Sequence, residues 1–143
     1  MRILLLNGPN LGRLGHRQPE TYGHITLDEV VHRATAYADA SGATLSHLQS
    51  NYEGALIDRI EQLDYEGIVI NPGALGHTSY ALRDAIEGSA RPAVEVHISD
   101  VHAREDFRSV LVLEPVVIGQ VIGHGVDGYN EAIHLLMEHL GGQ

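Results

Sequence analysis

The chain has 143 residues, 43% of them hydrophobic, and a formal net charge of −10, which suits one soluble domain over 1–143 able to bury about two-thirds of its unfolded surface. It has no cysteine, and all nine basic residues are arginine, which excludes disulfides, thiolate nucleophiles, Schiff-base catalysis and a P-loop lysine. The acidic balance argues against a nucleic-acid partner, no apolar run reaches membrane-spanning length and the N-terminus lacks a signal-peptide pattern, so a cytoplasmic protein with neither a nucleic-acid nor a membrane partner is expected.

In chain order, Arg2–Leu6 is a short β-rich run fit for a buried strand. Asn7–Gly23 follows, reading NGPNLGRLGHRQPETYG. No helical or strand-like apolar period runs between Gly8 and Gly23, and a loop this long inside a compact domain is usually functional or disordered, disorder suiting a tail better than a segment pinned between a strand and a helix start. It reads as a mobile active-site loop with Arg17 and Tyr22 as its working side chains; a solvated connector is the plainer alternative. Thr26 and Glu29 then have the spacing of a capping box. Leu27, Val30, Val31, Ala34 and Ala38 recur at helical spacing, with Gly42 as the C-terminal stop. Ala43–Leu48 reads as a second strand and Asn51–Asp64 as a second helix, with Leu56, Ile57, Ile60 and Leu63 on one face. Gly67–Ile70 is a third strand, and Thr78–Glu87 a third helix that buries Ala81, Leu82, Ala85 and Ile86. Pro92–Val96 is a fourth strand and Val116–Ile122 a fifth, with Val110–Leu113 either a short extra strand or the lead-in to the fifth. A last helix spans about Gly128–Leu140, with Tyr129, Ile133, Leu136, Met137 and Leu140 as its apolar stripe.

Strands alternating with helices across short connections predict an α/β protein with a parallel sheet covered on both faces. Polar residues and glycines gather where each strand ends: Asn7–Asn10, Gln49–Asn51, Asn71–Gly73 with His77, Glu95–Ser99, and Gly123–Gly125. Ligands of open parallel sheets bind at that carboxyl edge, where strand order reverses.

Four chemistries can be weighed at this edge. The glycines of the first loop do not make a dinucleotide fingerprint, although a flavin-type phosphate loop stays open. The histidine pairs His97/His102 and His134/His139 are five residues apart and do not share a helix face, so no metal is expected. No serine elbow is present. Acid–base chemistry fits best. His97 at a strand end is a natural general acid, and Glu95, two residues earlier, points to the same face and can hold one imidazole nitrogen; a structural histidine is the alternative. Tyr22 would serve as a base only with a cation beside its phenolate, and Arg17 on the same loop could supply one. Lowering a phenol by about three pKa units takes roughly 4 kcal/mol.

Five stretches taken together resemble the type II 3-dehydroquinate dehydratases: NGPNLGRLGHRQPETYG, QSNYEGALID, INPGALGHTSYALRDA, VEVHISDVHAREDFR and GVDGYNEAI. They cover nearly the whole chain, in order. The resemblance implies a flavodoxin-like, doubly wound five-stranded sheet with helices on both faces. It implies dehydration of 3-dehydroquinate to 3-dehydroshikimate by anti elimination through an enolate, without cofactor or metal, in the shikimate route to aromatic amino acids. By position Tyr22 would remove the proton, Arg17 would lower its pKa, His97 would protonate the departing hydroxyl, Glu95 would orient His97, and Asn10 would hold a water near the enolate. Asn71, His77, the backbone at Ile98, Ser99 and Arg108 would bind substrate, with Asp84 reaching in from a neighbouring subunit of a homododecamer, a tetramer of trimers. Two places depart from the family pattern: Asp100 stands for asparagine, and Ser109–Pro115 is apolar and then acidic. They motivate the other reading, a non-catalytic relative that binds a small carboxylic acid.

Overall fold

A computed structural model describes residues 1–16, 20 and 23–142. Five strands form one all-parallel sheet: β1 (Arg2–Asn7), β2 (Thr44–Gln49), β3 (Gly67–Asn71), β4 (Ala93–His97) and β5 (Gly119–Ile122), in spatial order β2-β1-β3-β4-β5. Among the described residues four helices connect or follow them: α1 (Leu27–Ala40), α2 (Glu53–Ile60), α3 (Tyr80–Ser89) and α4 (Gly128–Gly141). This is the flavodoxin-like order, and its reversal lies between β1 and β3.

Period-two alternation divides the core between the two faces of the sheet. Ile3, Leu5, Val69, Val94 and Val96 pack with α1 and α4, whose Val30, Ala34, Ile133 and Leu136 complete that cluster. Leu4, Leu6, Ile68 and Ile70 pack on the other face against Leu56, Ile60, Leu82 and Ile86 of α2 and α3. The strands are apolar on both faces because both are covered.

The sequence boundaries hold within a few residues, and the exceptions have physical causes. Thr26 caps α1 as expected, its hydroxyl accepting the Glu29 N–H at 3.3 Å. Helix α2 stops at Ile60, short of the expected Asp64. Leu63 takes a positive φ of 53°, and the Tyr65 hydroxyl donates to the Ile60 carbonyl at 2.6 Å. Strand β5 begins at Gly119 rather than Val116, because Glu114–Val116 form a 3-10 turn with a proline at its start. Val110–Leu113 forms no strand; Val112 and Leu113 are buried in the α2/α3 core. The opening loop also carries more order than its composition suggests: Leu11–Arg13 is a 3-10 turn, and Leu11 and Leu14 insert into the α1/α4 core.

Candidate active site

The strand ends align. Asn7 of β1 lies opposite Gln49 and Asn71, and His97 of β4 lies opposite Ile122. A pocket opens at this edge, lined by residues of the first loop (Pro9, Asn10, Leu11), by Asn71 and His77 beyond β3, and by His97, Ser99 and Arg108 beyond β4.

His97 and Glu95 share one face of β4 because they are two residues apart. Glu95 is 0% and His97 5% exposed. The Glu95 Oε2–His97 Nε2 distance is 2.7 Å, and an ionised carboxylate only accepts, so Nε2 donates. Nδ1 is then the ring nitrogen left for the pocket. The other carboxylate oxygen, Oε1, accepts from Gln120 Nε2 at 2.9 Å. A buried carboxylate needs such partners, since an unpaired charge there would cost several kcal/mol (roughly).

His77 stacks against His97, with ring centroids 5.9 Å apart and planes inclined by 26°. Its Nδ1 lies 2.8 Å from the Val110 carbonyl and must donate to it, which leaves Nε2 as an acceptor for a ligand hydroxyl. Burial pushes the His77 imidazole below its ordinary value, outweighing the opposing pull of the Val110 carbonyl; His97 and Arg108 push the same way as burial. A neutral ring of fixed tautomer results.

Asn71 is also fixed. Its Oδ1 accepts the Gly73 N–H at 3.1 Å, and its Nδ2 donates to the Tyr129 hydroxyl at 2.9 Å. That hydroxyl donates in turn to Asn7 Oδ1 at 2.6 Å, and burial raises the phenol far above its usual range. Asn10 adopts the left-handed region with φ 70°, and its N–H donates to Asn51 Oδ1 at 3.0 Å, which sets its side chain at the pocket rim. Gly73, with φ 59°, lets the β3 turn approach the first loop; a Cβ there would stand 2.9 Å from the Pro9 carbonyl oxygen.

Arg108 lines the pocket with its Nε 3.1 Å from Glu105 Oε1 and its guanidinium 4.8 Å from the centre of the Phe107 ring. Asp84 is exposed on α3 and does not line the pocket. Arg17 and Tyr22 lie outside the described residues. The two departures are absorbed by the fold. Asp100 caps the turn after β4, accepting the His102 N–H at 3.2 Å, as an asparagine oxygen would. In the 109–114 stretch the group that meets the site is the Val110 carbonyl, which every residue type carries.

Sequence reasoning missed Arg104, Gln120, Asn7 and Tyr129. Arg104 lines the pocket, its Nη1 3.3 Å from Ser99 Oγ; the signal was a second arginine four residues before Arg108. The signal for Gln120 was an amide inside the otherwise apolar run of β5. Tyr129 read as an ordinary member of the α4 apolar stripe.

Fold and site together define an open parallel α/β protein with a polar, histidine-lined pocket at the carboxyl edge of its sheet. The family model "Dehydroquinase class II" matches residues 1–137. A 3-dehydroquinate dehydratase of Anoxybacillus flavithermus is 52% identical, covering 100% of this chain and 98% of that one. One from Erwinia tasmaniensis is 54% identical over 98% of this chain and 95% of its own. The crystal structure of a type II dehydroquinase from Butyrivibrio crossotus superposes with a TM-score of 0.94 at 44% identity, covering 96% of this chain and 97% of that one. The chain belongs to the class II dehydroquinase family.

Proposed function

We propose that this protein is a 3-dehydroquinate dehydratase, a hydro-lyase that removes water from 3-dehydroquinate to give 3-dehydroshikimate. The observation that carries the reading is the buried Glu95–His97 pair, with one imidazole nitrogen held by the carboxylate and the other turned to a polar pocket. Such a pair stabilises an imidazolium whose remaining N–H can be delivered to a leaving group.

In this account Tyr22, as phenolate beside Arg17, takes the proton next to the ketone. The C–H electrons form an enolate, and a water held by Asn10 donates to its oxygen as charge develops there. The enolate electrons return to form the C=C bond, the C–O bond to the β-hydroxyl breaks, and His97 Nδ1–H protonates the departing oxygen, so that water leaves. Base and acid act from opposite faces of the ring, an anti elimination. His97 ends as the neutral tautomer with its Nε2 proton still on Glu95's side. Neutral His77 accepts from a substrate hydroxyl, Asn71 binds another, and the Ile98 and Ser99 backbone and Arg108 take the carboxylate.

The role is one step of the shikimate route to aromatic amino acids, carried out in the cytoplasm by one α/β domain over 1–143 that needs neither metal nor cofactor. Its assembly is a homododecamer, a tetramer of trimers, in which Asp84 of one subunit reaches the pocket of another. Among the described residues no helix is long and apolar enough to cross a membrane. The test is the absorbance of the conjugated enone when chelator-treated protein meets 3-dehydroquinate. Product formation is expected. Tight binding of the substrate without product would overturn the dehydratase and favour a non-catalytic acid-binding relative.

A further inference from the structure

The Glu95–His97 pair has a third member. Gln120 lies directly opposite Glu95 in the β4–β5 register, on the same face of the sheet, and its Nε2 donates to Glu95 Oε1 at 2.9 Å. Glu95 Oε2 meets His97 Nε2 at 2.7 Å. Each carboxylate oxygen thus has one side-chain donor, and the carboxylate plane is fixed between them. The opposite side is closed by backbone: a Cβ on Gly76 would stand 3.2 Å from Glu95 Oε2 and 3.3 Å from His97 Cε1. Among the described residues the remaining titratable group against the pair is His77, stacked on His97. Strand β5 is the sheet edge, where a polar side chain in mid-strand could have turned to water. Gln120 is instead half-buried and directed at the one fully buried acid of the site.

Resting on the dehydratase reading, we propose that Gln120 is a positioning residue for the reaction: it locks the Glu95 carboxylate so that Oε2 presents a single, ionised acceptor to His97. It touches neither substrate nor reacting atoms and acts through Glu95. Without its N–H, Glu95 can rotate about its last side-chain bond and disperses its charge over one donor fewer, so both the carboxylate and the imidazolium it supports hold their protons more firmly. A cation in its place would do the reverse.

The test is steady-state kinetics across pH for wild type, Gln120→Leu and Gln120→Lys, with melting temperature as the check on folding. Gln120→Leu should lower kcat about tenfold, less than the hundredfold or more of a direct proton donor, leave KM within about twofold and move the alkaline limb of the rate profile, where the general acid loses its proton, to higher pH. Gln120→Lys restores a donor, so it should keep most of kcat and move that limb to lower pH. The opposite signs separate positioning from mere filling of space. Wild-type kcat and an unmoved limb in Gln120→Leu, or shifts of the same sign in both variants, would overturn the proposal. If wild type itself shows no turnover, the dehydratase reading fails, and the titration of the His97 imidazole followed by NMR decides the positioning role alone. A rise in Gln120→Leu with a fall in Gln120→Lys supports it, and an unchanged midpoint overturns it.

Discussion

Two buried polar clusters sit at the carboxyl edge of the sheet, on opposite faces. On the α1/α4 face Tyr129 joins Asn7 and Asn71 through neutral groups alone. On the α2/α3 face Glu95 joins His97 and Gln120 through a charge. The neutral cluster uses its phenol and amide oxygens internally and turns no titratable group to the pocket; its effect is to hold the ends of β1 and β3 in register. The charged cluster leaves one ring nitrogen facing the pocket. Burial alone therefore does not mark a working group. What separates scaffold from chemistry is whether a cluster can change its proton count within reach of a ligand.

Substitutions should separate the two clusters by kind of effect. The largest loss is expected from His97→Ala, which removes the acid and should lower kcat by about 10²–10⁴, read by the enone assay with circular dichroism as the check on fold. Glu95→Gln keeps size and one acceptor but cannot support an imidazolium, and should lose roughly a hundredfold in kcat with KM little changed. Tyr129→Phe should act in the other currency. It leaves Asn7 Oδ1 and one Asn71 N–H unpaired, at a cost of about 1–3 kcal/mol, which denaturant unfolding will show, with a smaller change in kcat than either variant of the charged pair. A catalytic loss in Tyr129→Phe as large as that of Glu95→Gln would erase the distinction.

The smallest effect concerns pH and the neutral cluster. Asn7 Nδ2 lies 3.1 Å from His47 Nε2; with Asn7 Oδ1 already accepting from Tyr129, the amide donates and the ring nitrogen must be unprotonated. Burial lowers the His47 pKa below 6.5, against the opposing pull of Asp28. Below pH 6.5 the unfolded chain therefore binds more protons than the folded one, and stability falls as pH falls through the native value. The contribution is fully present above 6.5. His47→Gln should flatten the stability–pH curve on its acid side, measured as urea midpoints at several pH values; a curve parallel to wild type would show that His47 is not linked to folding. His77, lowered by burial as well, leaves a remnant slope of the same sign.

The charged cluster was largely legible in the sequence and the neutral one was not. Period two in a strand puts Glu95 and His97 on one face regardless of context, so their pairing follows from spacing. Gln120 joins them only through cross-strand register, which one strand's sequence does not carry. Tyr129 and Asn7 are 122 positions apart and meet because α4 packs across β3, β4 and β5, which carries its first turn to the end of β1; helical periodicity gives the stripe but not what its hydroxyl reaches. The same limit hid the order of the opening loop. Leu11 and Leu14 are spaced for one 3-10 turn, too short for any period to register, yet both are core residues. The 109–114 stretch misled in the opposite direction: its unusual side chains suggested a disturbed site, while the structure uses a backbone carbonyl there.

The central claim is that His97, oriented by Glu95, delivers the proton that lets the hydroxyl leave. The most direct measurement compares His97→Ala with wild type on 3-dehydroquinate and on an analogue whose departing hydroxyl is replaced by a leaving group of low proton affinity. The account predicts a deficit of about a hundredfold or more on the natural substrate that shrinks to about tenfold or less on the analogue, because departure no longer needs a proton. An equal deficit on both would contradict it and assign His97 to binding or architecture instead.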